Sequence, residues 1–256
     1  MLAVPGAGVN LHEGPVADLG AILRVDNPAV DVRVARIEEN GAGDPEGLGL
    51  TLTSVAASRA SREVPSAIVI PLLASPHPLV SKRIGETVAT AGVHVLVSNF
   101  INSNALIAEA LHIRLAEAGL ARADRVRLFS IVTAADGIII ATVGGPEAAV
   151  AANVTSVLLA ARLALPVVTA SLDSQPAIGE AAIRLKEMGV NRLAIAPCFI
   201  GPEATQNDID ALSIGAECAP PIGGHGNIAR LAALTYGQAI SQMQFPGEEA
   251  PSQPTE

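Results

Sequence analysis

The chain has 256 residues, a formal charge of −9 and a pI near 5.0. That balance argues against nucleic acid as a partner, because phosphate binding needs a concentrated basic face. Half of the residues are apolar but only 2% are aromatic, with no Trp. The core must therefore be built from Ala, Val, Leu and Ile, which suits a parallel sheet covered by helices.

In chain order, Asp31–Ile37 and Ala67–Leu73 read as strands, rich in β-branched residues and nearly continuous in apolar character. Between them Gly47–Arg62 has helical spacing at Leu48, Leu52, Val55 and Ala56. Ser81–Ala91 is the next expected helix, stopped by Gly92, and Val93–Val97 the next strand. Asn104–Ala118 is the clearest helix, with an apolar face of Leu106, Ala110, Leu111 and Leu115 and Gly119 at its end. Val126–Val132 and Val167–Ser171 are expected strands separated by a helix over Ala148–Leu163. Then come a helix at Gly179–Met188, strands at Leu193–Ala196 and Glu217–Ala219, and a last helix at Asn227–Met243.

Alternating strands and helices predict an α/β chain with parallel crossovers. The chain also echoes itself. Pro71 and Pro197 lie 126 residues apart, and Pro76 and Pro202 keep that offset. After a three-residue slip, Ala91–Gly92 matches Ile214–Gly215 and Asn104 matches Asn227. We therefore expect two similar doubly wound halves, 1–121 and 122–245, facing a central cleft, and a disordered Pro- and Glu-rich tail over 246–256.

Two cysteines, Cys198 and Cys218, are too few for a disulfide framework or a zinc cluster, and their apolar surroundings suggest buried thiols. No basic region followed by an apolar stretch opens the chain, and no apolar run reaches the ~18 residues of a membrane span, since Arg162 interrupts the longest candidate. A soluble cytoplasmic protein is expected.

Ligands of doubly wound folds sit at the carboxyl ends of strands. That rule selects the loops at 71–80 and 197–205, the segment after Ile37, and the loops after Val97 and Ala219. His77 lies in the first loop and could ligate a metal or accept a proton, with a solvated histidine as the plain alternative. Glu38 and Glu39 follow a strand directly, so one carboxylate should face the cleft; surface charge is the alternative. His225 sits in GGHGN, whose glycines free backbone donors for an anion, a weak signal. His112 is expected to be structural, and His12 and His94 carry no pattern. The N-terminal PGAGVNL fails as a dinucleotide fingerprint: Leu11 stands at the third glycine position, and only four residues precede the motif, too few for a secure strand. VGGP at Val143–Pro146 lacks the Lys and Ser/Thr of a phosphate loop.

The order of segments adds to this. DVRVARIEEN, AIVIPLLASPHPLV, ALIAEALHIRLAEAGL, RLAIAPCFIGPEA and CAPPIGGHGNIARL together resemble the sirohydrochlorin chelatase family, the CbiX- and SirB-like proteins, over nearly the whole length. The resemblance implies insertion of a divalent metal, Co²⁺ or Fe²⁺, as a substrate into a carboxylate-rich tetrapyrrole, without a nucleotide cofactor. It implies a metal and proton site of two histidines and a glutamate in the N-terminal half. The glutamate is matched by Glu38. Pro5, followed by Gly6, stands where the family has its first histidine, and Leu79 where it has the second, with His77 two positions earlier. Catalysis, if it survives, falls to Glu38 and His77, which would also hold the metal. Lys82 and Arg83 follow the loop and suit the tetrapyrrole carboxylates, with Pro5, Gly6 and Leu79 lining the site. The alternatives are an impaired homologue that carries a tetrapyrrole or metal, or an assembly partner. Neither membrane nor nucleic acid is expected, and self-association is left open.

Overall fold

The computed structural model describes residues 1–6, 9–37, 43–58, 64–101, 104–122, 135–201, 203–204, 206–212 and 216–244. The first half runs β1 (Leu2–Val4), α1 (Gly14–Asp26), β2 (Val34–Arg36), α2 (Leu48–Ala57), β3 (Ile68–Pro71), α3 (Pro78–Ala91), β4 (Leu96–Val97) and α4 (Ala105–Glu117). The second runs β5 (Gly137–Thr142), α5 (Pro146–Ala151), α6 (Asn153–Leu163), β6 (Val167–Ser171), α7 (Ile178–Glu187), β7 (Leu193–Pro197), α8 (Gln206–Leu212), β8 (Glu217–Cys218) and α9 (Gly226–Gln244). Two four-stranded sheets result, ordered β2-β1-β3-β4 and β6-β5-β7-β8. Every described pairing in them is parallel.

The doubly wound α/β architecture is thus as expected, and the differences are local. The opening of the chain does form a strand. β1 has only three residues, yet β2 and β3 flank it on both sides and bury all three. Two neighbouring ladders supply what length does not. The centre of the second sheet is β5, GIIIAT, wholly buried and absent from the sequence reading. The strand expected at 126–132 lies outside the described residues, as does the tail over 246–256. Helices α1 and α8 were also unforeseen. The expected helix at 148–163 is two helices that meet at Ala152. Helix α3 begins at Pro78 rather than Ser81, since proline suits the first helical turn, where its missing N–H costs nothing.

Strand alternation sorts the side chains into layers. Leu2, Val4, Ile68 and Ile70 face the same core as Ile138, Ile140, Ala194 and Ala196 of the other sheet. Ala3, Ala35 and Val69 face outward onto α2 and α3, and Ile139, Ala141 and Ile195 onto the outer layer of the second half. The shared core is filled by helices that cross between halves. α4 packs on α6 and β7, while α9 packs on α1, α4 and β3. Each half lends a helix to the other, which fixes the two sets of strand ends relative to one another.

Register also corrects the internal echo. Ile68 pairs with Leu96 and Ala194 with Glu217, so positions 126 apart in β3 and β7 oppose positions 121 apart in β4 and β8. The slip is five residues, not three. The helix caps agree. Asn104 accepts from the Leu106 N–H, and 121 residues later His225 Nδ1 accepts from the Asn227 N–H. His225, not Asn227, is therefore the counterpart of Asn104. Residues 214 and 215 of the proposed match lie outside the described residues.

Candidate functional site

The carboxyl ends of the two sheets meet through the loops after β3 and β5. Gly144, φ +118°, lies so close to the first half that a Cβ built on it would be 2.3 Å from the Pro76 carbonyl oxygen and 3.2 Å from the His77 Cα. His77 caps the start of α3 in extended conformation. Its Nδ1 is buried without a hydrogen-bond partner, one of two such side-chain atoms among the described residues. Burial holds the imidazole below its ordinary pKa; Asp173 pushes it up and Arg83 down. At neutral pH His77 is therefore an uncharged imidazole with an unsatisfied nitrogen at the junction of two halves, the form that ligates a metal or takes a proton.

Asp173 comes from the second half. Burial works to raise its pKa, but the Ser171 hydroxyl and the Gly145 and Gly144 N–H groups outweigh it, so the carboxyl titrates below the usual range. Those donors lie 2.6, 3.0 and 3.1 Å away. Its place in the fold is informative. Val4 pairs with Arg36 in β2, and Thr142 pairs with Ser171 in β6. Two residues past Arg36 is Glu38; two past Ser171 is Asp173. The second half thus carries a carboxylate where the resemblance puts the glutamate in the first. Asp173 is not among the residues that the sequence pattern singles out, although its position two residues beyond the strand at Val167–Ser171 is the available signal.

The same symmetry relates His77 to Glu203, 126 residues on. Among the described residues, Glu203 is held by backbone N–H groups. Its carboxylate accepts from the Ile200 and Gly201 N–H groups at 3.0 and 2.8 Å and from the Ala74 N–H of the other half. Burial nevertheless raises its pKa. Beside it the buried Cys198 thiol is pushed up to about 12, mainly by burial, with the Ser75 hydroxyl in hydrogen-bond contact. Cys218 on β8 is only half-buried, its thiol raised to about 11 by burial. Neither is a ready nucleophile or metal ligand at neutral pH.

The remaining expected positions are scattered around this junction. Pro5 is buried directly after β1, and Gly6 turns the chain at φ +99°. Leu79 is 66% exposed in the first turn of α3. Arg83 is near enough to act on His77, whereas Lys82 is exposed and 3.8 Å from Glu86. Glu38 and Glu39 lie outside the described residues. What brackets them is described. Arg36, at the end of β2, donates to both Asp44 oxygens at 2.7 and 2.8 Å, to Glu46 at 2.9 Å and to the Val9 carbonyl at 2.8 Å. Glu46 also meets His12. His225 caps α9 and its pKa is lowered by burial and by Arg114, whose guanidinium grips the Ile222 carbonyl. His112 is structural, as expected: it is buried between the Arg122 carbonyl and the Arg162 guanidinium. Among the described residues, no cluster of three or more His, Cys, Asp or Glu side chains could hold a metal. A cavity of about 310 Å³ lies at the opposite, amino ends of β1 and β3, lined by Met1, Asp31, Ser66 and Tyr236 among others, away from His77.

Three solved structures share this architecture. SirB from Bacillus subtilis with Fe³⁺ aligns at TM-score 0.66 and 14% identity, over 95% of this chain and 96% of that one. The sirohydrochlorin chelatase SirB from Bacillus subtilis subspecies spizizenii in complex with cobalt aligns at 0.62 and 11% identity, over 95% of both chains. This chain has the sirohydrochlorin chelatase fold. DR2241 from Deinococcus radiodurans, a multi-domain protein with structural similarity to chelatases, aligns at 0.56 and 16% identity, over 93% of this chain and 55% of that one. No protein-family model matches the sequence, and no curated protein does.

His77, Gly144 and Asp173 lie together where the loops after β3, β5 and β6 meet. No described helix is long and apolar enough to cross a membrane.

Proposed function

We propose that the chain binds a carboxylate-rich tetrapyrrole between its halves and inserts a divalent metal, Co²⁺ or Fe²⁺, with His77 as the working imidazole. The observation that carries this reading is the unpartnered, buried Nδ1 of His77 at the meeting of the two sheets. A buried polar nitrogen without a partner costs free energy, roughly 1–3 kcal/mol, and such sites are kept where a ligand satisfies them. The low pKa of His77 favours the neutral ring, which binds Co²⁺ or Fe²⁺ and can receive a pyrrole N–H proton. Asp173 supplies a carboxylate beside His77, and Glu38, its counterpart by internal symmetry and outside the described residues, is the one the family resemblance points to. Arg83, with Lys82, suits the tetrapyrrole carboxylates.

Pro5 sets the limit on this activity. It can neither ligate nor transfer a proton, so the first histidine of the family pattern has no functional equivalent there. Slow insertion follows, and the chemistry rests on one imidazole instead of two. The experiment is an anaerobic absorbance titration with sirohydrochlorin, followed by Co²⁺, on the parent and on His77→Ala. Insertion faster than without protein, abolished by His77→Ala, supports the reading. A spectral shift on binding with no acceleration identifies a tetrapyrrole-binding carrier instead, the reading that the loss at Pro5 favours. No shift at all refutes both.

A further inference from the structure

One face of the second half is apolar and faces solvent. Val150 on α5 and Val154, Val157 and Leu158 on α6 are 66%, 57%, 68% and 37% exposed. They follow one another at intervals of four, three and one residues along two helices joined at Ala152, whose N–H donates to the Ala148 carbonyl and whose carbonyl accepts from the Ser156 N–H, so they form a stripe along one side. The opposite side of α6 is already used, with Thr155, Ser156 and Leu159 buried. It packs on α4 and β6. From Ala148 to Ala161 the sequence carries no charge, while Glu147 stands at one end and Arg162 at the other.

We propose that this stripe is the contact between two copies of the chain, packed antiparallel about a two-fold axis near Val154. A two-fold contact must be complementary to itself. This stripe is. An antiparallel copy centred midway between Glu147 and Arg162 sets each Glu147 against the partner's Arg162 and Val150 against the partner's Val157 and Leu158. Arg162 is 40% exposed at its side chain; its Nε is committed to His112 at 2.8 Å and one terminal nitrogen reaches Glu109 at 3.4 Å, which leaves the other terminal nitrogen to meet a second carboxylate. Charge favours the same site for another reason. Two copies at −9 each repel, and an uncharged strip of helix is where they approach at least cost. The contact is one helix pair, which does not exceed the lower end of specific interfaces, about 1,200 Å² in total. Association is therefore reversible and concentration-dependent.

The test is sedimentation velocity of the full chain from micromolar to several hundred micromolar. A monomer–dimer equilibrium is expected, weakened at least tenfold by Val157→Glu and measurably by Glu147→Lys, with unchanged circular dichroism and melting temperature. Because both positions are exposed, the variants should fold; Val157→Lys serves as a second check. Val154→Cys should form a disulfide-linked dimer on mild oxidation that the parent, with Cys198 buried and Cys218 half-buried, does not form. A monomer at every concentration overturns the proposal, as does a dimer indifferent to Val157→Glu. Weakening by Val157→Glu without cross-linking of Val154→Cys overturns the antiparallel register.

Discussion

Gly144 lies so close to the Pro76 carbonyl across the two halves that a Cβ added to it would stand 2.3 Å from that oxygen. Gly144 also sits at φ +118°, where an L side chain is strained. Both facts predict that Gly144→Ala destabilises the protein, by about 2–4 kcal/mol from overpacking plus backbone strain. The clash is with backbone, which cannot swing aside as a side chain would. Urea unfolding measures the loss. Gly145→Ala is a useful control: its φ is +87° but nothing lies within 4 Å of its would-be Cβ, so it tests strain alone and should cost less. Equal losses in the two variants would show that the contact with Pro76 is not what Gly144 preserves.

His77 makes the site sensitive to acid. Its folded pKa lies below the ordinary 6.5, so the native state binds fewer protons than the unfolded chain. Its contribution to stability is in place above about pH 6.5 and is lost as the pH falls through the lower folded value. Tetrapyrrole-dependent activity should follow the same limb, falling toward acid, because protonation removes the ligand and base together. Arg83→Gln removes a charge that lowers the His77 pKa and should move the limb to higher pH. Asp173→Asn removes one that raises it and should move the limb to lower pH. Profiles of metal insertion for parent and variants measure these shifts; displacement of both variants in the same direction would contradict the assignment of charges.

How much of this was legible in the sequence can be judged residue by residue. The loop that bears His77 was legible because proline punctuates it twice, and the same spacing recurs at Pro197. Asp173 was not, because a single Asp after a strand looks like any loop carboxylate until the register of β5 and β6 shows it to be the counterpart of Glu38. The strand β1 was hidden by its shortness, since its stability comes from β2 and β3 on either side and not from its own three residues. The exchange of α4 and α9 between halves was invisible for a related reason. Periodicity shows that a helix has an apolar face, but not which sheet that face will find.

Arg36 closes the end of β2 onto the described residues that follow position 42. Its contacts tie Val9, Asp44 and Glu46 together at the end of β2, and Asp44 is held down to about 2, chiefly by the hydrogen bond from Arg36. Arg36→Ala should cost about 2 kcal/mol, the usual range for hydrogen bonds to charged groups. The Asp44 contribution is complete above its ordinary pKa of 3.8 and is lost as the pH falls toward about 2. The parent should therefore lose stability over that window and Arg36→Ala should not, which acid unfolding followed by circular dichroism can read. If metal insertion also falls in Arg36→Ala at neutral pH, Arg36 serves Glu38 as well as the fold.

His112 joins three parts of the chain with one ring. The Arg162 Nε donates to Nδ1 at 2.8 Å, which leaves the proton on Nε2, and Nε2 then donates to the Arg122 carbonyl at 2.6 Å. Arg162 belongs to the second half, His112 to a first-half helix packed on it, and Arg122 to the chain just before the segment that joins them. Replacing His112 by Leu keeps the apolar bulk but leaves a guanidinium N–H and a carbonyl without their partner. A loss of about 2–4 kcal/mol is expected, one hydrogen bond and one unsatisfied buried group at each end. His112→Gln can restore one of the two contacts and should recover part of it. Thermal unfolding separates the cases. A Leu variant as stable as the parent would mean that the two hydrogen bonds of the ring add nothing to the joint between the halves and that the ring is a passive occupant.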